Sequence, residues 1–227
     1  MRITILTLLT AAPSLLGTSI FTLPTAALPS SVGWTYLGTS PEPNFWNTAP
    51  GGIEMNTMGG ANAKMGYYLL PGSVVPGVVE VLWRMRVLES QGNYGFYVQV
   101  DTGSNAYLMQ FSTTTISSLG TASTLVFDTS SVFHDYRFVV DTVAGTGNLY
   151  IDGSLTSNYT GGQFSSIDGD SILFGDGTSF GNAHVLLGEV PEPSAFALTA
   201  LGLLALAARP WRKTKPGVGG PPACSGS

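Results

Sequence analysis

The sequence predicts an all-β chain, a single antiparallel β-sandwich carrying a short apolar segment at each end. Three observations predict it. Apolar and polar residues alternate with a period of two over short runs, and Gly, Asn, Asp and Ser clusters separate those runs. Between residues 28 and 189 no stretch repeats its apolar residues at the spacing of a long amphipathic helix.

At the N-terminus, Met1 and Arg2 form a short positive start and residues 3–16 an apolar run. Thr25-Ala26-Ala27 then offers small residues that a signal peptidase could cut before Leu28. Residues 1–27 are therefore expected to be a signal peptide. Residues 20–23 lengthen the apolar stretch and make an uncleaved anchor the alternative, but Pro13 and Pro24 interrupt it.

Residues 28–189 are long enough for one domain with its own core. Val79, Val81, Trp83, Met85 and Val87 fall on one face of an extended strand, with Glu80, Arg84 and Arg86 on the other. Tyr94, Phe96, Val98 and Val100 repeat the alternation, residues 106–111 and 124–127 fit two more strands, and Tyr136, Phe138 and Val140 mark another. Two sheets packed face to face bury all these apolar faces at once, with a closed barrel as the alternative.

The clearest hairpin runs from His134 through Asp141, turns through Gly145 and Gly147, and returns along Asn148-Leu149-Tyr150-Ile151. Asp152-Gly153 marks the next turn. Together with the later run Ser171-Ile172-Leu173-Phe174-Gly175-Asp176-Gly177, this segment resembles the laminin-G-like and concanavalin A-like jelly rolls. The resemblance implies a sandwich whose sheet face and rim loops often hold sugars, sometimes with calcium and sometimes catalytically. Fold alone does not choose among these.

Past residue 189 the chemistry changes. Val190-Pro191-Glu192-Pro193 leads into an uncharged, helix-favouring run over 194–208, closed by Arg209, Trp211, Arg212 and Lys213. A 15-residue helix rises about 22 Å, short of the roughly 30 Å hydrocarbon core, so one short transmembrane helix is expected, with the basic cluster on the cytoplasmic side. Pro-Glu-Pro, apolar helix and basic cluster, over 190–215, resemble the PEP-CTERM sorting signal, which implies processing by an exosortase. The chain departs from that pattern in a further Gly/Pro-rich tail over 216–227, expected to be disordered, which holds the single Cys224. The exported part therefore contains no disulfide.

Within 28–189, Lys64, Arg84, Arg86 and Arg137 face thirteen acidic residues, a net charge of about −9. Such a surface repels nucleic acid and anionic lipid and leaves neutral glycans or a metal open. No Glu-x-Asp-x-x-Glu run places two acids on one strand face, no Gly-x-Ser-x-Gly occurs, and Glu54, Glu80 and Glu89 read as solvated strand residues. His134 and His184 are the two histidines, and only folding could bring them together.

Two candidate sites remain. Asp168, Asp170 and Asp176 gather three carboxylates in nine residues, suited to calcium, although Asp-Gly pairs equally serve tight turns. Trp34, Trp46, Asn47, Asn93 and Tyr94 supply the aromatic faces and amides that sugar binding needs, with Trp46 either a ligand platform or a core plug. The expectation is an exported, non-catalytic protein of the cell surface or extracellular polysaccharide matrix, with signal peptidase and exosortase as partners and polysaccharide or matrix protein as ligand. The alternatives are a polysaccharide hydrolase or lyase and a self-associating structural surface protein.

Overall fold

The computed structural model describes residues 17–59, 66–91, 95–118, 124–160, 164–165, 169–177 and 183–190. The first strands are β1 Thr18–Thr22, β2 Thr35–Gly38, β3 Trp46–Ala49, β4 Gly52–Asn56, β5 Gly66–Pro71, β6 Val78–Ser90, β7 Phe96–Thr102 and β8 Asn105–Phe111. They are followed by β9 Thr115–Ser118, β10 Thr124–Val126, β11 His134–Asp141, β12 Thr146–Ile151, β13 Ser154–Thr160, β14 Phe164–Ser165, β15 Asp170–Asp176 and β16 Ala183–Gly188. Two 3₁₀ turns, Pro29–Val32 and Glu42–Asn44, are the helical elements among the described residues.

The strands form two sheets. The first has the order β13-β12-β11-β6-β16-β4-β3 and the second β10-β9-β8-β7-β15-β5-β2, with β14 paired to β8. Among the described residues every pairing is antiparallel except one: β1 lies parallel to β6. The chain falls into two compact units, Met1–Val190 and Pro191–Ser227, and the sandwich occupies the first. Among the described residues no helix is long and apolar enough to cross a membrane, and the apolar run 194–208 lies outside them.

β6 organises the first sheet because its sequence alternates without interruption for most of its length. Val79, Val81, Trp83, Met85 and Val87 are fully buried between the sheets, and the residues between them face outward. Facing them from the second sheet are Phe96, Val98, Val100, Tyr107, Met109, Phe111, Ile172 and Phe174. The predicted hairpin is β11–β12, and its register brings Tyr136 opposite Trp83 across β6 with rings 5.3 Å apart and nearly parallel. Asp152 (φ 50°) and Gly153 (φ 80°) both turn left-handed between β12 and β13, the geometry of a two-residue hairpin turn.

Burial also acts on the tyrosines. Tyr36 is pushed up to about 12 by desolvation and then by the neighbouring Glu42 carboxylate. Tyr68 and Tyr136 are raised chiefly by desolvation, and Tyr68 also donates its hydroxyl to Glu42 Oε1 at 2.5 Å. A raised pKa favours the folded state while the phenol stays protonated, so this contribution is intact below about pH 10 and is lost as pH climbs through the folded values. Urea midpoints should therefore fall above about pH 10, with the tyrosinate absorbance of Tyr68 and Tyr136 rising only as the protein unfolds.

Candidate ligand-binding face

The outward side of the first sheet carries the exposed polar chemistry. Because Trp46, Ile53, Met55, Val185 and Leu187 are buried, their neighbours Asn47, Glu54, His184 and Leu186 must face outward. Register then aligns Asn47, Glu54, Leu186 and Arg86 in one row across β3, β4, β16 and β6. His184 Nε2 meets Glu54 Oε1 at 2.5 Å, both side chains partly exposed. A register shift between His184 and Val185 leaves the β6 residue Leu88 as the extra member of the ladder.

Beside this row is a shallow pocket lined by Ala49, Pro50, Gly51, Ile53, Phe133 and Leu186, among others. Gly52 makes it possible: a Cβ there would lie 1.8 Å from Leu187 O, so any side chain would force β4 away from β16. Phe133 sits over Gly188, and the Arg84 guanidinium lies 5.8 Å from its ring centroid. Farther along the face, Arg84 pairs with Asp135 at 3.3 Å. Arg137 grips both oxygens of Glu80, at 2.7 and 2.9 Å, while stacking over Tyr150. Arg84, Arg86 and Arg137, all the described Lys and Arg residues, thus stand on one face.

The two histidines do not meet. His184 faces outward from β16, whereas His134 points inward from β11, its ring 4.8 Å from Phe127 and 6.2 Å from Tyr136. His134 Nδ1 pairs with Asp152 Oδ2 at 2.7 Å, and the Asp135 amide donates to Asp152 Oδ1 at 3.0 Å. Partial burial opposes ionisation of Asp152, but these two bonds and the nearby charges of His134 and Arg84 outweigh it and hold its carboxyl below the usual range. A lowered carboxylate pKa stabilises the fold above about pH 4 and loses that contribution as pH falls through the folded value. Asp152→Asn should accordingly flatten the acid limb of a stability–pH curve, read from urea midpoints between about pH 2 and pH 5.

The sequence candidates are dispersed. Trp46 is fully buried, donating Nε1 to Gly66 O at 3.2 Å, and Trp34 packs edge-on against Phe174 at 4.8 Å, so both are core residues and neither is an exposed sugar platform. Asn47 is exposed and belongs to the polar row. Asn93 and Tyr94 lie outside the described residues, as does Asp168. Asp170 and Asp176 open and close β15, about 20 Å apart at the rise of an extended strand. Asp176 is buried and accepts a hydrogen bond from Thr57 Oγ1 at 2.6 Å, which uses it inside the protein. The calcium cluster expected at these aspartates is therefore not assembled by Asp170 and Asp176, and among the described residues no group of three His, Cys, Asp or Glu side chains could hold a metal ion.

Sequence reasoning missed Tyr97, Gln99 and Asp101, which alternate along β7 on the outward side of the second sheet. Gln99 Nε2 donates to Asp101 Oδ1 at 2.8 Å, and Tyr97 joins Leu108 and Leu173 in a second apolar cluster. Period-two spacing was the available signal. All three are buried, Gln99 only 5 % exposed.

The chain leaves the sandwich at Gly188, the last residue of β16. Residues 189–213 match the PEP-CTERM protein-sorting motif. The PEP-CTERM motif marks an exported protein, carried through the membrane to the cell surface or extracellular space, and implies exosortase processing. No curated protein matches the chain by sequence. Solved structures to which it is similar include a carbohydrate binding module from Bacillus subtilis (13 % identity over 75 % of this chain and 97 % of that one, TM-score 0.41). Another is an alginate lyase from Corynebacterium sp. (11 % identity, 66 % and 81 % coverage, TM-score 0.46). A third is a Bacillus licheniformis beta-glucanase (14 % identity, 70 % and 82 % coverage, TM-score 0.41).

Proposed function

We propose that this exported protein is a non-catalytic component of the extracellular polysaccharide matrix that holds a neutral glycan on the outward face of its first sheet. The observation that carries this reading is the polar cluster of Asn47, Glu54 and His184 beside a small apolar depression lined by Phe133 and Leu186. A sugar ring presents an apolar side and a rim of hydroxyls, which such a pairing of apolar lining, amide and carboxylate matches. The net negative charge of the folded part disfavours polyanions. Glu80 and Asp135 are each already paired with an arginine and Glu54 with His184, an arrangement suited to a fixed binding surface, whereas glycoside hydrolysis calls for two carboxyls facing one bond.

The test is binding of the exported protein to a panel of neutral glycans and exopolysaccharides, with calcium and again with chelator, while the sugars are scored for cleavage. Binding without cleavage is expected, and Asn47→Ala should weaken it about tenfold, the loss of roughly one hydrogen bond. Cleavage of any sugar would replace this reading with a hydrolase or lyase. Oligomerisation without sugar binding would replace it with a self-associating surface protein.

A further inference from the structure

The structure assigns Thr18–Leu23 to the folded domain, and we infer that the leader is cut upstream of Thr18, after Ala12-Pro13-Ser14, and not before Leu28. The argument begins with the length of β6. β11 pairs with Val78 through Met85 on one side of it, but on the other side β16 reaches only from Arg84 to Ser90. The uncovered half, Val78 to Leu82, is filled by β1, which lies end to end with β16 along the same edge. The Val78 amide donates to Gly17 O at 3.3 Å and the Leu23 amide to Leu82 O at 3.0 Å, so the ladder is bonded at both ends.

Two further features fit this strand. Gly77 holds φ at +142°, and a Cβ there would lie 2.5 Å from Gly17 O, so the chain lacks a side chain where the incoming backbone passes closest. Leu23 is 1 % exposed within the core, with Phe21 packed against the same cluster. Pro24, without an amide proton, then ends the pairing. A mature chain beginning at Leu28 would lose all of this. It would leave half of the longest strand as an open edge inside a sheet and a hole where Leu23 had been.

The leader can do without these residues. After Met1 and Arg2, residues 3–12 give an uncharged, mainly apolar stretch of ten, inside the range of roughly 7–15 for a leader core. Ala12 and Ser14 then place small residues at the third-last and last leader positions. The experiment is to export the full chain in a Gram-negative host and determine the N-terminus of the processed protein by intact mass and terminal sequencing. A start at Leu15, unchanged by Ala27→Gln, is expected. A start at Leu28, an uncleaved chain, or a block of processing by Ala27→Gln would overturn the assignment. In the same exported protein, Leu23→Asp should lower the urea midpoint, and an unchanged midpoint would equally count against it.

Discussion

Trp46→Ala is expected to destabilise the domain by about 3–5 kcal/mol, a large part of the roughly 5–15 kcal/mol that holds a domain folded. The indole is completely buried, with Tyr68 at 4.8 Å and Phe174 at 5.8 Å in edge-on contact from the second sheet, and its removal leaves a void between the sheets that these neighbours cannot fill. It also removes the donor to Gly66 O. Trp46→Phe keeps most of the apolar volume and should cost markedly less, since what it loses is one hydrogen bond and part of the ring. Urea denaturation of the two variants measures the difference. The alternative role, a platform for sugar, makes the opposite prediction: near-normal stability in Trp46→Ala and lost glycan binding.

This residue shows where the sequence was readable and where it was not. The alternation of β6, β7 and β11 has a period of two, so these strands and their inward residues could be assigned from side-chain order alone, while β8 and β15, apolar without alternation, were legible only as strands, and Asp152-Gly153 announced its turn. Trp46 was ambiguous because Pro41 and Pro43 suggested a loop. The prolines instead initiate the 3₁₀ turn Glu42–Asn44, after which the chain enters β3 with Trp46 inward. β1 was hidden by composition: Ile20, Phe21 and Leu23 read as the tail of a leader, although the burial along Thr18–Thr22 alternates as a strand should. The pairs His134–Asp152 and His184–Glu54 span 18 and 130 residues, and no local pattern encodes such partners.

Asp176 was misread for a reason that leads to a second large effect. Asp-Gly next to other aspartates suggested a metal loop, yet Ile172, Phe174 and Asp176 share one parity, which places the carboxylate on the inward face with the two apolar residues. There it accepts from Thr57 Oγ1 at 2.6 Å, while Thr57 Oγ1 accepts from the Ala183 amide at 3.1 Å and the Thr57 amide donates to Ala183 O at 2.9 Å. One threonine thus ties the end of β15 in the second sheet to the start of β16 in the first. Thr57→Val preserves volume but takes away the hydroxyl, leaving a buried carboxylate oxygen without this donor. A loss of about 1.5–3 kcal/mol is expected, the range for a hydrogen bond to a charged group. Asp176→Asn retains an acceptor oxygen and should cost less, whereas Asp176→Ala removes the acceptor; because Thr57→Val and Asp176→Ala break the same bond, their double variant should fall short of the sum by about 1–2 kcal/mol. Strict additivity of the urea-derived values would mean that the tie contributes nothing. A midpoint that moves with chelator would return Asp176 to a metal, whereas a midpoint indifferent to chelator, together with the coupling, fixes its role as the buried link between the sheets.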